Sequence, residues 1–105
     1  MADFMKIMQQ AQQLQTRLQQ MQDELANKTV TAASGGGMVT VTADGKGQIR
    51  SIKIDPTVVN PDDVEMLEDL VVVAINEAHR KASELAQEEM RGLTGGLPLP
   101  FKLPL

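Results

Sequence analysis

The residues able to do covalent or metal chemistry are few and scattered. His79 is the one imidazole, lying between Ala78 and Arg80 in a stretch of helical spacing, and the chain has no cysteine. A nitrogen or sulfur metal site needs several such ligands, and a thiol nucleophile is impossible, so His79 reads as a structural or surface residue. Ser34, Ser51 and Ser83 lack the strand-turn-helix setting of a nucleophile elbow. The run Gly35-Gly36-Gly37 suggests a phosphate loop, but no Lys-Ser or Lys-Thr follows it and the next element reads as a strand. A hairpin loop is the better reading. Asp62, Asp63, Glu65, Glu68 and Asp69 could attract a hard cation. They lack the ligand order of a calcium loop and read as a solvated face beside a helix start. No catalytic residue, metal site, cofactor or small-molecule substrate is expected. What remains is binding or scaffolding.

Composition narrows the binding classes. Phe4 and Phe101 are the only aromatic residues, so the stacking platforms of single-strand and RNA binders are missing. The net charge is −4, but it is unevenly spread: residues 1–53 carry six basic and four acidic residues, residues 54–105 four and ten. Polyanions would therefore meet the first half more readily. No apolar run approaches the ~20 residues that span a bilayer, and the Gln-rich opening does not read as a signal peptide. A soluble cytoplasmic protein with no membrane partner is the expectation, consistent with the absence of cysteine.

The elements that must position any binding surface are legible in the spacing. Phe4, Ile7, Ala11, Leu14, Leu18, Met21 and Leu25 follow a 3,4 alternation, a heptad seam on a helix over 3–26 whose remaining surface is largely Gln. Such a seam asks for one partner helix. Met5, Met8 and Met21 on the same helix read mainly as seam or core packing, with an adaptable protein-binding surface as the other use. Short strands are expected at 28–33, 38–43 and 48–55, joined by the glycine run and by a tight turn starting at Asp44-Gly45. Ile49 falls out of phase with Ile52 and Ile54, which predicts a bulge or a strand buried on both faces. Asn60-Pro61-Asp62-Asp63 reads as a helix start capped by Asn60. The helix beyond it is apolar nearly all round at Val71-Val72-Val73, which predicts burial on more than one side. A bend near His79 would make it two helices, and Gly92 is a stop signal. Residues 1–92 then form a single domain and 93–105 a Gly/Pro/Leu-rich tail. The fold class is α+β: a long N-terminal helix, a three-stranded antiparallel meander, and one or two C-terminal helices. A chain of 105 residues buries a modest core, which favours an oligomer.

Several stretches together resemble the YbaB/EbfC family. They are MKIMQQAQQLQTRLQQM (5–21), DELA (23–26), SGGGMVTV (34–41), GQIRSIKIDP (47–56), EMLEDLVVVAINEA (65–78) and GLTGGLP (92–98). The resemblance implies a tweezer-like homodimer in which sheet and adjoining helix form the body and the first and last helices project as arms. It also implies a nucleoid-associated protein that binds double-stranded DNA. No helix-turn-helix or basic zipper helix is visible, so contacts mainly to phosphate, with little sequence preference, are expected. Candidate contacts are Lys6 and Arg17 on the first helix and Arg80, Lys81 and Arg91 on the last. Each has a plainer use. Arg17 can pair with Glu24 of a partner helix, Arg80 and Lys81 with Glu77 and Glu84 at helical spacing, and Lys46, Arg50 and Lys53 can solvate the sheet. The competing reading is a scaffold whose helical arms clasp another protein without significant DNA binding.

Overall fold

The structure, a computed structural model, describes residues 2–94. The order is helix α1 (Ala2–Asn27), strands β1 (Thr29–Ser34), β2 (Val39–Asp44) and β3 (Ile49–Ile54), and helix α2 (Val64–Thr94), with short 3-10 turns at Gly35–Gly37 and Pro56–Val58. The strands form an antiparallel meander in the order β1-β2-β3. Val30, Ala32 and Ser34 pair with Ala43, Val41 and Val39. Val39 and Val41 pair in turn with Ile54 and Ile52. Directly opposed residues share a face, so these side chains, the apolar ones with Ser34 at the end of β1, make one side of the sheet. The other side presents Thr29, Thr31, Thr40, Thr42, Ser51 and Lys53. This is the one-sided patterning of an antiparallel sheet with one face packed and one wet.

The core lies between this sheet and α2. Ala74, Ala78 and Ala82 recur every fourth residue and are fully or almost fully buried, as are Ala32, Val39, Val41 and Ala43. Residues four apart lie on one helix face, and methyl-sized side chains there let the helix backbone approach the strands closely. Leu67, Leu70, Val71 and Ile75 flank the stripe. Ser34 Oγ donates to Leu70 O at 2.6 Å, and Lys81 Nζ donates to Thr31 O at 2.8 Å. These two bonds fix α2 over β1. The helix is continuous past His79 and Gly92, so the bend and the stop at Gly92 are not found. Its start also differs from the expectation. Asn60 Oδ1 accepts from Asp62 N in a turn, and it is Asp63 Oδ1 that accepts from Met66 N, capping a helix that begins at Val64. Val72 and Val73 are exposed in the single chain, so burial of the valine run on more than one side is not achieved within it.

The bulge at Ile49 is present. Thr42 pairs with Ser51 but Ala43 pairs with Ile49, leaving Arg50 as the extra residue of β3. The bulge returns Ile49 to the packed face and turns Arg50 toward the end of α1. There Asp44, completely buried, accepts from Lys46 N at 2.9 Å and Gln48 N at 3.0 Å. Its Oδ2 has no aligned hydrogen-bond donor and is balanced by charge, 2.8 Å from Arg50 Nη2. Burial pushes the Asp44 carboxyl up, but the two N–H groups and Arg50 outweigh it and hold its pKa below the usual carboxylate value.

This turn also ends α1. The last carbonyls of a helix lack intrahelical partners and carry the negative end of its dipole. Gly45 N donates to Leu25 O at 2.8 Å and to Lys28 O at 3.0 Å, and Arg50 Nη2 reaches Ala26 O at 3.5 Å. The turn's left-handed residue is Gly47, with φ +89°. Gly45 is required for a different reason: a Cβ there would lie 2.7 Å from Leu25 O.

Gly45→Ala should therefore force backbone apart and destabilise the protein by about 1–3 kcal/mol, the usual cost of overpacking, read as a lower urea midpoint. Because the folded pKa of Asp44 is lowered, its stabilising contribution is complete above the ordinary carboxyl pKa of about 4. It is lost as pH falls through the lowered value. The stability gap between wild type and Asp44→Asn should be constant above about pH 5 and narrow on further acidification; a gap that stays constant down to pH 2 would contradict this account.

Candidate nucleic-acid interface

The long helix α1 leaves the body as a projecting arm. Its 26 residues make a rod of about 39 Å, of which the Met21–Leu25 end is buried. The chain measures 73 × 23 × 16 Å with a radius of gyration of 19.8 Å, against about 13 Å for a compact chain of this length. The helix survives on propensity and local bonds over most of its length: Gln is a good helix former, and Gln19 Nε2 donates to Asp23 Oδ1 at 3.2 Å. The heptad seam predicts one partner helix along its whole length. Among the described residues only its base has one. Met21 lies in the cleft between α1 and the far end of α2, where Arg17, Gln20 and Glu24 face Glu88, Glu89 and Gly92. Lys28 and Glu89 form an ion pair there; the hydrogen bond to Glu89 is the main reason the Lys28 ammonium is held above its ordinary pKa. Beyond the cleft, Phe4 is 67% and Ile7 61% exposed.

The five candidate cations fall into different settings. Lys6 and Arg17 are exposed on α1 and make no ion pair among the described residues. Arg17 joins a shallow polar groove with Gln9, Gln12, Gln13 and Thr16, where neutral donors adjoin the guanidinium. Arg80 is held differently. It forms ion pairs with Glu77 and Glu84, and its Nε donates to Glu77 Oε2 at 3.0 Å. The hydrogen bonds to Glu77 are foremost in raising the Arg80 pKa, and the same contact lowers that of Glu77. Lys81 is spent on Thr31 O. Arg91 is exposed on the last turn of α2. The structure thus places Lys6 and Arg17 together on the arm, and Arg80 and Lys81 at the β1 side of the body, beside Ala33, Val73 and Asn76.

Among the residues read as merely solvating the sheet, Arg50 has another part: it caps α1 and balances Asp44. Its out-of-phase neighbour Ile49 was the visible signal, since a bulge re-aims a side chain. Lys46 and Lys53 are exposed and, like Lys6 and Arg17, have no ion-pair partner among the described residues. Lys53 stands on the threonine face of the sheet. No group of three or more His, Asp or Glu side chains among the described residues could hold a metal ion, and no helix there is long and apolar enough to cross a membrane. Residues 95–105, most of the expected tail, lie outside the described residues.

Comparison with known proteins places these features. The sequence profile of the YbaB/EbfC DNA-binding family matches residues 1–97. A protein of Gemmatimonas aurantiaca named as a nucleoid-associated protein is 51% identical over 102 residues, covering 97% of this chain and 98% of its own. A nucleoid-associated protein of Rhodopseudomonas palustris is 51% identical over 105 residues, covering all of both chains. One from Brucella ovis is 48% identical over 106 residues, covering 99% of each. The crystal structure of uncharacterized protein HP0035 from Helicobacter pylori superposes with a TM-score of 0.79 at 22% identity, covering 88% of this chain and 97% of that one. That likeness shows the shared α+β fold.

Proposed function

The chain belongs to the YbaB/EbfC DNA-binding family, a non-enzymatic family, and from that premise we propose that it binds double-stranded DNA as a homodimer, through phosphate contacts with little sequence preference, and associates with the nucleoid. The observation that carries the DNA reading is the match of the family profile across residues 1–97, joined to relatives at 51% identity that are named nucleoid-associated proteins. The geometry supports a backbone mode. The exposed cations without ion-pair partners among the described residues lie along α1 (Lys6, Arg17), in the β2–β3 turn (Lys46) and on the threonine face of the sheet (Lys53), with no helix-turn-helix or basic zipper helix among the elements that carry them. In this reading residues 1–92 make the binding domain, whose last helix runs on to Thr94.

Lys6 and Arg17 are the principal contacts in this reading. Arg80 and Lys81 contribute less, because DNA must first draw them from Glu77, Glu84 and Thr31 O, and Arg91 stands beside the acidic end of α2. Two arms in a symmetric dimer double every contact.

The dimer reading is supported by what α2 leaves bare. Ile52 and Ile54 lie on the packed face opposite the buried Val41 and Val39, yet they are 42% and 39% exposed. Strand β3 is also an edge, and on the opposite edge Lys81 takes the Thr31 carbonyl of β1. An open edge carrying apolar side chains invites another strand or helix, and a second copy laid against β3 would cover both.

Titrating a labelled random-sequence duplex over a salt series tests the first reading. The slope of log K against log salt should be close to −0.9 per phosphate neutralised. Arg17→Ala should make it shallower by about 2 in a dimer, and Arg80→Ala by clearly less; binding that ignores salt would favour the scaffold reading instead. Sedimentation tests the second. Ile52→Asp should convert a two-chain species to single chains at micromolar concentration, while a wild type that is already a single chain there would remove the dimer.

A further inference from the structure

The free half of α1 keeps an apolar seam with nothing over it among the described residues. Phe4, Ile7, Ala11 and Leu14 continue the heptad beyond the cleft that covers Met21 and Leu25, and the large ones among them are 40% to 67% exposed. Propensity can hold the helix, but an apolar stripe at heptad spacing is buried best against a partner helix carrying the same spacing. The arm itself, in a second molecule, is that partner. We propose that α1 pairs antiparallel with α1 of another copy, joining two dimers arm to arm. The proposal presumes the β3 dimer described above and uses a different surface.

Orientation follows from side-chain size and charge. In the antiparallel register Phe4 meets the partner's Leu14 and Ile7 meets the partner's Ala11, with both pairs repeated by symmetry. Large residues then face smaller ones, as interdigitating layers require. A parallel, in-register pair would set Phe4 on the partner's Phe4 and leave a gap at the two copies of Ala11. The flanking positions agree. With Phe4 and Ile7 as a and d, Asp3, Gln10 and Arg17 are g positions, and g faces g across an antiparallel pair. The register that aligns Phe4 with the partner's Leu14 also sets Asp3 against the partner's Arg17, twice, and Gln10 against the partner's Gln10. In a parallel pair g faces e, where Met8, Gln15 and Gln22 offer no charge. Asp3 and Arg17 are both exposed and have no ion-pair partner among the described residues, so their charges remain available. The overlap from Phe4 to Leu14 is about 15 Å long, which suits a reversible, concentration-dependent contact. Arg17 would then serve the arm pair or a phosphate, so DNA and arm pairing compete for it.

A charge-swap cycle read by sedimentation tests the register. Wild type should pass from two chains to four as concentration rises. Asp3→Arg and Arg17→Asp should each weaken that step about tenfold, since two ion pairs become two like-charge contacts, and the double substitution D3R/R17D should restore it. Leu14→Glu should abolish it. Failure of the double variant to restore association, or persistence of four chains in Leu14→Glu, would overturn the proposal, as would a wild type that stays at two chains throughout. In Ile52→Asp, the single chains present at micromolar concentration should pair through their arms as concentration rises further, and Leu14→Glu should remove that step. Loss of the β3 dimer and loss of arm pairing therefore give different species.

Discussion

Everything beyond the sheet depends on how α1 is held at its last turn. A rod of about 39 Å is fixed to the body by little more than the burial of Met21 and Leu25. The carboxyl end of the rod is closed by groups from elsewhere in the chain: Gly45 N on Leu25 O and Lys28 O, and Arg50 on Ala26 O. The last turn of α1 has no basic residue of its own, so the cation that suits its dipole comes from β3. Asp44 positions that cation and shapes the turn at once. A buried carboxylate, a glycine too close to a carbonyl for any side chain, and a one-residue bulge thus form one unit.

The second constraint is the width of α2 against the width of the sheet. An alanine stripe brings the helix down onto β1 and β2, with Ser34 and Lys81 tying it to the β1 side. One helix covers two strands well and a third poorly. Strand β3 therefore carries the sequence of a core strand but remains half-wet in a single chain. The helix shows the same mismatch at Val72 and Val73. The valine run and the isoleucine strand describe a larger core than one copy builds, which is the physical motive for association.

Charge is handled by local pairing. The acid of the second half is partly used within the chain: Glu77 and Glu84 hold Arg80, and Glu89 holds Lys28. Exposed pairs of this kind add little stability, but they decide which cations a polyanion would find free. Net charge is a poor guide for the same reason. The chain is acidic overall, yet its arm presents Lys6 and Arg17 without acid partners among the described residues.

The periodicities of the sequence determined the element types and their order: the heptad of α1, the alternation of Val39 and Val41, the phase slip at Ile49 and the long apolar helix after Asp63. These are local signals, set by which side chains can share a face at 3.6 or 2 residues per repeat. The combination of stretches also carried the family resemblance. Other features depended on through-space geometry. The helix start moved from Asn60 to Asp63 because Asn60 closes its own turn first, a competition between neighbouring caps that propensity leaves open. The left-handed position fell on Gly47 and the steric one on Gly45, since only the arrival of Leu25 O distinguishes them. Arg50 acquired its role because the bulge aimed it at a helix end more than twenty residues away in sequence. Arg80 and Arg17 are the same residue type on exposed helices, and the tertiary structure separates them by what stands within reach: two glutamates around one, glutamines and an open seam around the other.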